Sequence, residues 1–243
     1  MVMIPTIDGL ETRAVANDVE FARARRLHAQ CFVDAGFVSP SDLDEFGFID
    51  DQWVPYSDYF ISIDTDNDEI VGTCRIIRPS VRGLPVFQYF ASDATAGEIF
   101  HGIDPNYCVE ISSLATPREG LQNMAISADL YGIVWRESVQ GGRAYMLAIM
   151  DSRLLRIMRR WFHFPFEPIG PSRHYMGDET TPVAMYVPRT IEHLQAVNPD
   201  SLRFFSGDIP FSDLDSVAID LRRTTQEHVA SVVDLRDVRT ATS

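Results

Sequence analysis

The stretch of residues 108–120 constrains the fold more than any other part of the chain, because it starts as a strand and ends where a helix begins. Two-residue alternation places Glu110 and Ser112 on one side of this strand and the apolar Ile111 on the other. A carboxylate on an interior-facing strand loses hydration, so the pKa of Glu110 is expected to rise toward the range in which it accepts a proton. The alternative is an edge strand whose glutamate faces water.

The neighbouring segments predict an α/β arrangement in which the central strands are followed by helices. Residues 59–64 and 70–77 form a predicted hairpin across a polar turn. The uninterrupted apolar run at residues 144–150 indicates a strand that is buried on both faces. The other predicted elements are helices at residues 18–31, 87–90, 123–140 and 153–162 and a strand at residues 182–187, with Asp18 as the N-cap of the first helix.

Charge and composition exclude several classes of protein. The chain has 243 residues, 45% hydrophobic, and its 21 basic against 35 acidic side chains give a net charge of −14, which argues against a general nucleic-acid or anionic-membrane binder. The first residues lack a basic segment followed by an apolar one, and no apolar run is long enough to cross a bilayer. We therefore expect a cytoplasmic protein.

Cysteine and histidine spacing gives no sign of a metal centre. The three cysteines show no CxxC spacing, and no two of the six histidines lie three or four residues apart. Such a pattern predicts neither a disulfide framework nor a zinc site. We expect no metal and no tightly bound cofactor.

Three short motifs carry a resemblance to a known family. They are the strand VGTCRII at residues 71–77, the strand EISSL at residues 110–114 and the loop segment DQW at residues 51–53. These motifs are similar to the Gly-x-x-Arg-Leu strand, the Glu-x-Ser-Arg strand and the Asp-x-aromatic acceptor loop of the acyl-homoserine-lactone (autoinducer) synthases. Over about residues 20–190 the chain resembles those enzymes and the N-acyl amino acid synthases, within the GCN5-related N-acetyltransferases (GNAT).

This resemblance implies an α/β fold, a GNAT-like three-layer sandwich with a mixed twisted sheet and helices on both faces. It implies one acyltransferase domain at residues 1–200, followed by a C-terminal amphipathic extension at residues 201–243. The apolar spacing from Leu214 to Leu235 predicts a helix in that extension, packed on the domain or on a second copy as a homodimer.

The resemblance also implies roles for individual residues. Glu110 would act as general base, with Ser112 beside it, and Arg75 and Asp51 would hold the carboxylate and ammonium of an amino-acid-like acceptor. Backbone N–H groups near Leu114 would stabilise the thioester oxygen. The complete predicted set is catalytic Glu110 and Ser112; substrate-binding Asp51, Trp53, Arg75 and Ser113; and donor-binding Leu114, Ala115, Arg118, Gly120, Arg159 and Arg160.

Two departures from the family pattern bear on the acceptor. Ser113 stands where the autoinducer synthases carry an arginine, and Val54 stands where their loop has a second aspartate. Both losses weaken the case for S-adenosylmethionine, because its charged groups would lose two partners.

The donor site departs from the pattern too. Acetyltransferases hold coenzyme A on a glycine-rich loop at a helix start, and residues 118–123 keep only a remnant of that loop. A loop with fewer glycines binds phosphate groups less well, which fits an acyl carrier protein as donor. The alternative is that this segment is a diverged coenzyme A loop. Five arginines at positions 143, 153, 156, 159 and 160 form a local basic excess that would dock an acidic carrier protein; the alternative is a solvated helix face.

The leading interpretation is an N-acyltransferase that moves an acyl group from acyl carrier protein or coenzyme A to a small amine, with no nucleic acid and no membrane as partner. The alternatives are an autoinducer synthase that uses S-adenosylmethionine, an ordinary coenzyme-A-dependent acetyltransferase, and a non-catalytic acyl-carrier or ligand-binding protein. Apolar residues at 144–150 and 162–166 would line the acyl tunnel, or else form core.

Overall fold

The computed structural model describes residues 9–90, 103–117 and 120–214, without the side chains of residues 120–122 and 212. These ranges contain six helices and eight strands, together with short 3-10 turns. The helices are α1 Asp18–Asp34, α2 Pro85–Phe90, α3 Gly120–Gln140, α4 Ser152–Trp161, α5 Val187–Val197 and α6 Pro199–Ser206. The strands are β1 Leu10–Ala14, β2 Ser57–Asp64, β3 Glu69–Ile77, β4 Cys108–Ala115, β5 Tyr145–Asp151, β6 Glu167–Pro168, β7 Arg173–Tyr175 and β8 Asp178–Tyr186.

These strands form one mixed sheet in the order β1-β2-β3-β4-β5-β8-β6, with β7 also paired to β8. The pairing is antiparallel at every step except between β4 and β5, which run parallel. A parallel pair needs a crossover connection, and α3 provides it, as the predicted order of strand, helix and buried strand requires.

Helices cover both faces of the sheet. On one face, α3 packs Ile126 and Leu130 against a core that includes Cys74 and Ile111 and that continues to α4, α5 and α6. On the other face, α1 packs Ala24 against β2, while α2 and the loop holding Trp53 cover β5. The predicted three-layer α/β sandwich, with a mixed sheet between helices, is confirmed.

Most local predictions agree with these elements, and the differences have simple causes. Asn17, and not Asp18, caps α1, because its side chain accepts the N–H groups of Val19 and Glu20. Asp151 caps α4 as predicted. The sequence prediction missed β1, β6, β7, α5 and α6, of which all but α5 have eight residues or fewer and so offer little periodicity.

The C-terminal part of the described chain belongs to the main core. Helix α6 spans the predicted domain boundary at residue 200, and its Phe204 and Phe205 are buried together with Leu214. The packed unit therefore reaches Leu214. The predicted amphipathic helix beyond Leu214, and the homodimer through it, lie outside the described residues. No helix in the described ranges is long and apolar enough to span a membrane.

Strand β4 separates from β5 halfway along its length. The two strands pair from Cys108 with Tyr145 to Ile111 with Ala148, and beyond that point β5 continues its pairing with β8 while β4 stays paired with β3 alone. On its other side β4 carries a bulge, because Thr73 faces Ala115 while Arg75 faces Ser112. Ser113, inside the bulge, has a left-handed backbone with φ of 56°. The sheet therefore opens between its two central strands.

Candidate active site

A cavity of about 610 Å³ lies where β4 leaves β5, and we call it the central cavity. Its walls come from both helical layers: His28 of α1 and Tyr89 of α2 on one face of the sheet, and Tyr131 of α3 and Leu154 of α4 on the other. Residues from opposite faces line one space only if that space passes between the strands. The central cavity is thus a passage through the sheet, lined in the middle by the open ends of β4 and β5.

Most of the predicted site residues meet in this cavity. The seven that line it are Asp51, Trp53, Arg75, Glu110, Ser112, Ser113 and Leu114. The predicted donor residues are more scattered. Ala115 is buried and pairs with Thr73, Arg159 and Arg160 lie on α4 outside the cavity lining, Gly120 begins α3, and Arg118 lies outside the described residues.

Glu110 is the buried carboxyl of the site, with 2% of its surface exposed. Burial raises its pKa to about 8, although a hydrogen bond from the Val86 N–H and the charge of Arg75 both act to lower it. The Val86 N–H, at the start of α2, donates to Oε2 at 2.8 Å. That bond holds one carboxyl oxygen in place. The other oxygen accepts none of the hydrogen bonds found among the described residues, so it is available to a molecule in the cavity.

Arg75 lies on the same face of the sheet as Glu110 and belongs to a row of side chains that crosses three strands. Tyr59 of β2, Arg75 of β3 and Ser112 of β4 face one another in register and therefore share one face of the sheet. Nη1 of Arg75 donates to the Tyr59 hydroxyl at 3.2 Å, and Nη2 forms an ion pair with the Asp51 carboxylate. Among the described residues, the buried Nε of Arg75 has no hydrogen-bond partner.

This pairing changes the predicted acceptor geometry. The sequence predicts Asp51 for the acceptor's ammonium and Arg75 for its carboxylate, whereas here the two side chains neutralise each other. Asp51 also accepts the Trp53 N–H at 2.8 Å, so the Asp-x-aromatic segment is a local turn that aims Asp51 at Arg75. In this arrangement Arg75 cannot form a two-pronged hydrogen bond with a substrate carboxylate.

Sequence reasoning missed several residues that line the central cavity, among them His28, Tyr89, Tyr131 and Tyr175. The tyrosines carry no sequence signal, because their positions depend on how separate elements pack. His28 does carry one, since Ala24 and His28 are four residues apart on the buried side of α1.

His28 is uncharged in this position. Burial lowers its pKa to about 3, and the positive charges of Arg75 and Arg25 act in the same direction. Its ring packs edge-on against Phe32, with the ring centroids 4.3 Å apart. Nε2 is buried without a hydrogen-bond partner in the described part of the chain.

Aromatic rings form one wall of the central cavity. Tyr89 lies between Trp53 and Tyr175, with ring centroids 5.7 Å and 5.0 Å away respectively. The Trp53 Nε1–H donates to the Gly83 carbonyl at 3.2 Å, which fixes the indole ring. This wall closes the α1 and α2 side of the cavity with rigid, weakly polar surface.

The two segments that were predicted to line an acyl tunnel have different surroundings. Ala148, Ile149 and Met150 of β5 line the central cavity beyond the point where β4 departs. Phe162, Phe164 and Phe166 are instead buried in the main core, where they stack with α3 and α6. For these phenylalanines the alternative interpretation is correct, because they are part of the hydrophobic core.

The predicted basic patch divides into groups with different surroundings. Arg159 donates from Nε to the Phe166 carbonyl at 3.0 Å and so holds the segment that follows α4. Arg143 donates to the Asn106 carbonyl at 3.2 Å, beside a separate hollow next to Arg78. The remaining arginines, Arg153, Arg156 and Arg160, are exposed on α4. Helix α4 begins at the cavity, because Asp151 and Leu154 both line it.

The raised pKa of Glu110 predicts how stability depends on pH. The folded chain keeps this proton up to a pH of about 8, whereas the unfolded chain releases it near its ordinary value of 4.5. The unfolded form therefore binds fewer protons between these values, and the free energy of unfolding falls as the pH rises through this window. Glu110→Gln removes the effect, so the variant should gain stability relative to the parent at pH 9 by about 4 kcal/mol more than at pH 5.

Denaturant unfolding at both pH values measures this difference. Glu179→Gln, at an exposed position outside the cavity lining, serves as the control and should show the same small effect at pH 5 and pH 9. A Glu110→Gln effect that is equal at the two pH values would contradict a buried carboxyl with a raised pKa.

Comparison with known proteins identifies the architecture. FeeM, an N-acyl amino acid synthase from uncultured soil microbes, superposes with a TM-score of 0.59 at 19% identity, over 76% of this chain and 93% of FeeM. BjaI, a coenzyme-A-dependent acyl-homoserine lactone synthase solved with SAM and isopentyl-CoA, gives 0.61 at 16% identity, over 79% and 90%. The acyl-homoserine lactone synthase LasI gives 0.56 at 14% identity, over 73% and 90%.

No family model matches the sequence, and no curated protein does so at a significant level. At identities below one fifth, the structural matches define the fold. This chain therefore has the GNAT-like fold in the form seen in the acyl-homoserine-lactone synthases and in the N-acyl amino acid synthase FeeM.

Proposed function

We propose that this protein is an N-acyltransferase, which moves an acyl group from a thioester to the amino group of a small acceptor. The observation that carries the proposal is Glu110, a buried carboxyl with a pKa of about 8 at the opening between two strands. A general base works best when its pKa lies near the operating pH. The fold supports the proposal, because FeeM is an N-acyl amino acid synthase and BjaI is a coenzyme-A-dependent synthase.

The reaction uses the free oxygen of Glu110. The acceptor nitrogen attacks the thioester carbonyl carbon while Glu110, directly or through one water, takes a proton from that nitrogen. The new C–N bond forms, the C–S bond breaks and the thiol departs with a proton. The Val86 N–H keeps the other carboxyl oxygen in place, so the base has one orientation throughout.

Strand β4 would supply the polar groups around the reacting carbonyl. Beyond Ile111 it has no partner on its β5 side among the described residues, which leaves backbone near Ser113 and Leu114 facing the cavity. N–H groups in such an opening are suited to a thioester oxygen that gains negative charge. The Ser112 and Ser113 hydroxyls, 3.2 Å apart, would hold the acceptor or the relaying water.

The donor would enter from the α3 and α4 side. Tyr131, Met150 and Leu154 offer apolar surface there for an acyl chain. Exposed arginines on α4 begin one or two residues from the cavity lining and would meet the acidic surface of an acyl carrier protein. We also propose that Arg118 and Gly120 bind a donor phosphate, either of carrier-protein pantetheine or of coenzyme A; Gly120 begins α3.

Glu110→Gln tests the proposed base directly. The amide keeps the size of the side chain but cannot accept the proton, so turnover should fall by about a hundredfold to ten-thousandfold while the protein stays folded. Acyl transfer from mixed acyl thioesters to a pool of amines, followed by mass spectrometry, measures the loss. Glu179→Gln should keep the parent's rate, and full activity of Glu110→Gln at neutral pH would exclude Glu110 as the base.

Charge reversal on α4 tests the carrier-protein partner. Arg156→Glu with Arg160→Glu should raise the apparent KM for acyl carrier protein about tenfold at low salt and leave a small thioester mimic unaffected, because exposed interface charges mainly affect association. Arg159 is left intact, since it holds the Phe166 carbonyl.

The control for this experiment is Arg189→Glu, an exposed arginine on α5 that is outside the patch. Its donor kinetics should match the parent's. Equal loss with both donors in the α4 variant would show that these arginines stabilise the fold and do not dock a carrier protein.

A further inference from the structure

We infer that the acceptor of this enzyme is a cationic amine without a free carboxylate, such as an alkyl or arylalkyl amine or an amino acid amide, and not an α-amino acid. This inference rests on the proposed function and specifies its substrate class. Three features of the central cavity carry it: the balance of charge in the lining, the engagement of Arg75, and the neutral character of His28.

The lining of the central cavity is strongly acidic. Its described residues include five carboxyl side chains and one guanidinium, namely Asp50, Asp51, Glu110, Asp151, Asp178 and Arg75. Even with Glu110 protonated, four carboxylates face one arginine. Asp151 and Asp178 each accept the backbone N–H group of the next or a nearby residue. Such a lining attracts a cationic ligand and repels an anionic one.

The guanidinium group of Arg75 is not available to bind a substrate carboxylate. Two of its three nitrogens are used, on Asp51 and on the Tyr59 hydroxyl, and the third is enclosed away from solvent. A substrate carboxylate would have to displace Asp51 to reach it. Asp51 would then be left partly buried without its partner, and breaking a buried ion pair in this way is strongly unfavourable.

No other described lining residue supplies a positive charge. His28 is the only other basic side chain in the lining, and its location beside Arg75, with most of its surface buried, keeps it neutral. The rest of the acceptor side is aromatic, with Tyr89 in contact with both Trp53 and Tyr175. Aromatic faces together with carboxylates recognise ammonium groups and apolar bodies, whereas a carboxylate finds no positively charged partner among these rings.

Matched acceptors that differ only in the carboxylate test this inference. Phenylalanine, phenylalanine amide and phenethylamine have the same side chain, and each is supplied with the same acyl thioester. We expect kcat/KM for the amide and the amine to exceed that for phenylalanine by tenfold or more. A leucine, leucine amide and isopentylamine series should show the same order. Equal or better use of the amino acids would overturn the inference.

Calorimetry on the same compounds separates this inference from the proposed function. Tighter binding of the amines and amides than of the amino acids supports a cation site whether or not turnover occurs. Tighter binding of the amino acids would overturn it. If no compound in either series is acylated while the amines still bind, the proposed acyl transfer fails and the site's preference for cations stands.

Asp51→Asn provides a positive test of the role of Arg75. Loss of the Asp51 charge frees the guanidinium for a substrate carboxylate, so the preference for amide over amino acid should fall by tenfold or more. Asp178→Asn, which leaves the Arg75 pair intact, should reduce the preference by a smaller factor even if Asp51→Asn folds poorly. Glu179→Gln, next to Asp178 but outside the lining, is the matched control and should leave the preference unchanged; an unchanged preference in both aspartate variants would contradict the inference.

Discussion

The separation of β4 from β5 is the constraint on which the rest of the site depends. A bulge on β4 inserts one residue opposite Cys74, and Ser113 takes a left-handed backbone that costs a non-glycine residue about 1 to 2 kcal/mol. The ladder to β3 resumes at Ala115, so the strain is held between paired segments. The bulge also turns Leu114 toward the core that contains Ile111, away from the face that a regular strand would give it. One inserted residue thus opens the sheet and reorients the strand end that forms the cavity.

Burial and charge are in balance around that opening. Glu110 gains a proton because its charged form loses water, while Arg75 stays charged because Asp51 and Tyr59 accept its hydrogen bonds. A buried pair of this kind contributes little net stability compared with apolar packing, but losing one partner is costly. The pair therefore acts mainly to fix the positions of its members. Its cost is offset by the apolar core on the other face of the sheet, where α3 packs Ile126 and Leu130.

The sequence predicted those parts of the fold and site that local pattern governs. The hairpin of β2 and β3, the buried strand β5 and the interior location of Glu110 follow from periodicity within short segments. The ion pair of Asp51 with Arg75 joins positions 24 residues apart through a loop whose path depends on packing, so it could not be predicted. The bulge at Ser113 could not be predicted, because two adjacent serines fit a regular strand and a bulged strand equally well. The phenylalanines after α4 were ambiguous for another reason: an apolar run fits a tunnel wall and a core equally well.

The most direct test of the central claim is the pH dependence of kcat/KM with an amine whose own pKa lies well below the range studied, so that only the enzyme titrates. Besides Glu110, the titratable and charged groups of the described residues that line this site are Asp50, Asp51, Arg75, Tyr89, Tyr131, Asp151, Tyr175, Asp178 and the neutral His28. The account predicts that activity rises with pH through about 8, where the Glu110 pKa lies. Val86→Pro, which removes the N–H that lowers this pKa, should move the rise to higher pH, while Val86→Ala should leave it in place. A profile that is already flat above pH 6, or one that Val86→Pro does not move, would contradict a buried Glu110 as the proton acceptor.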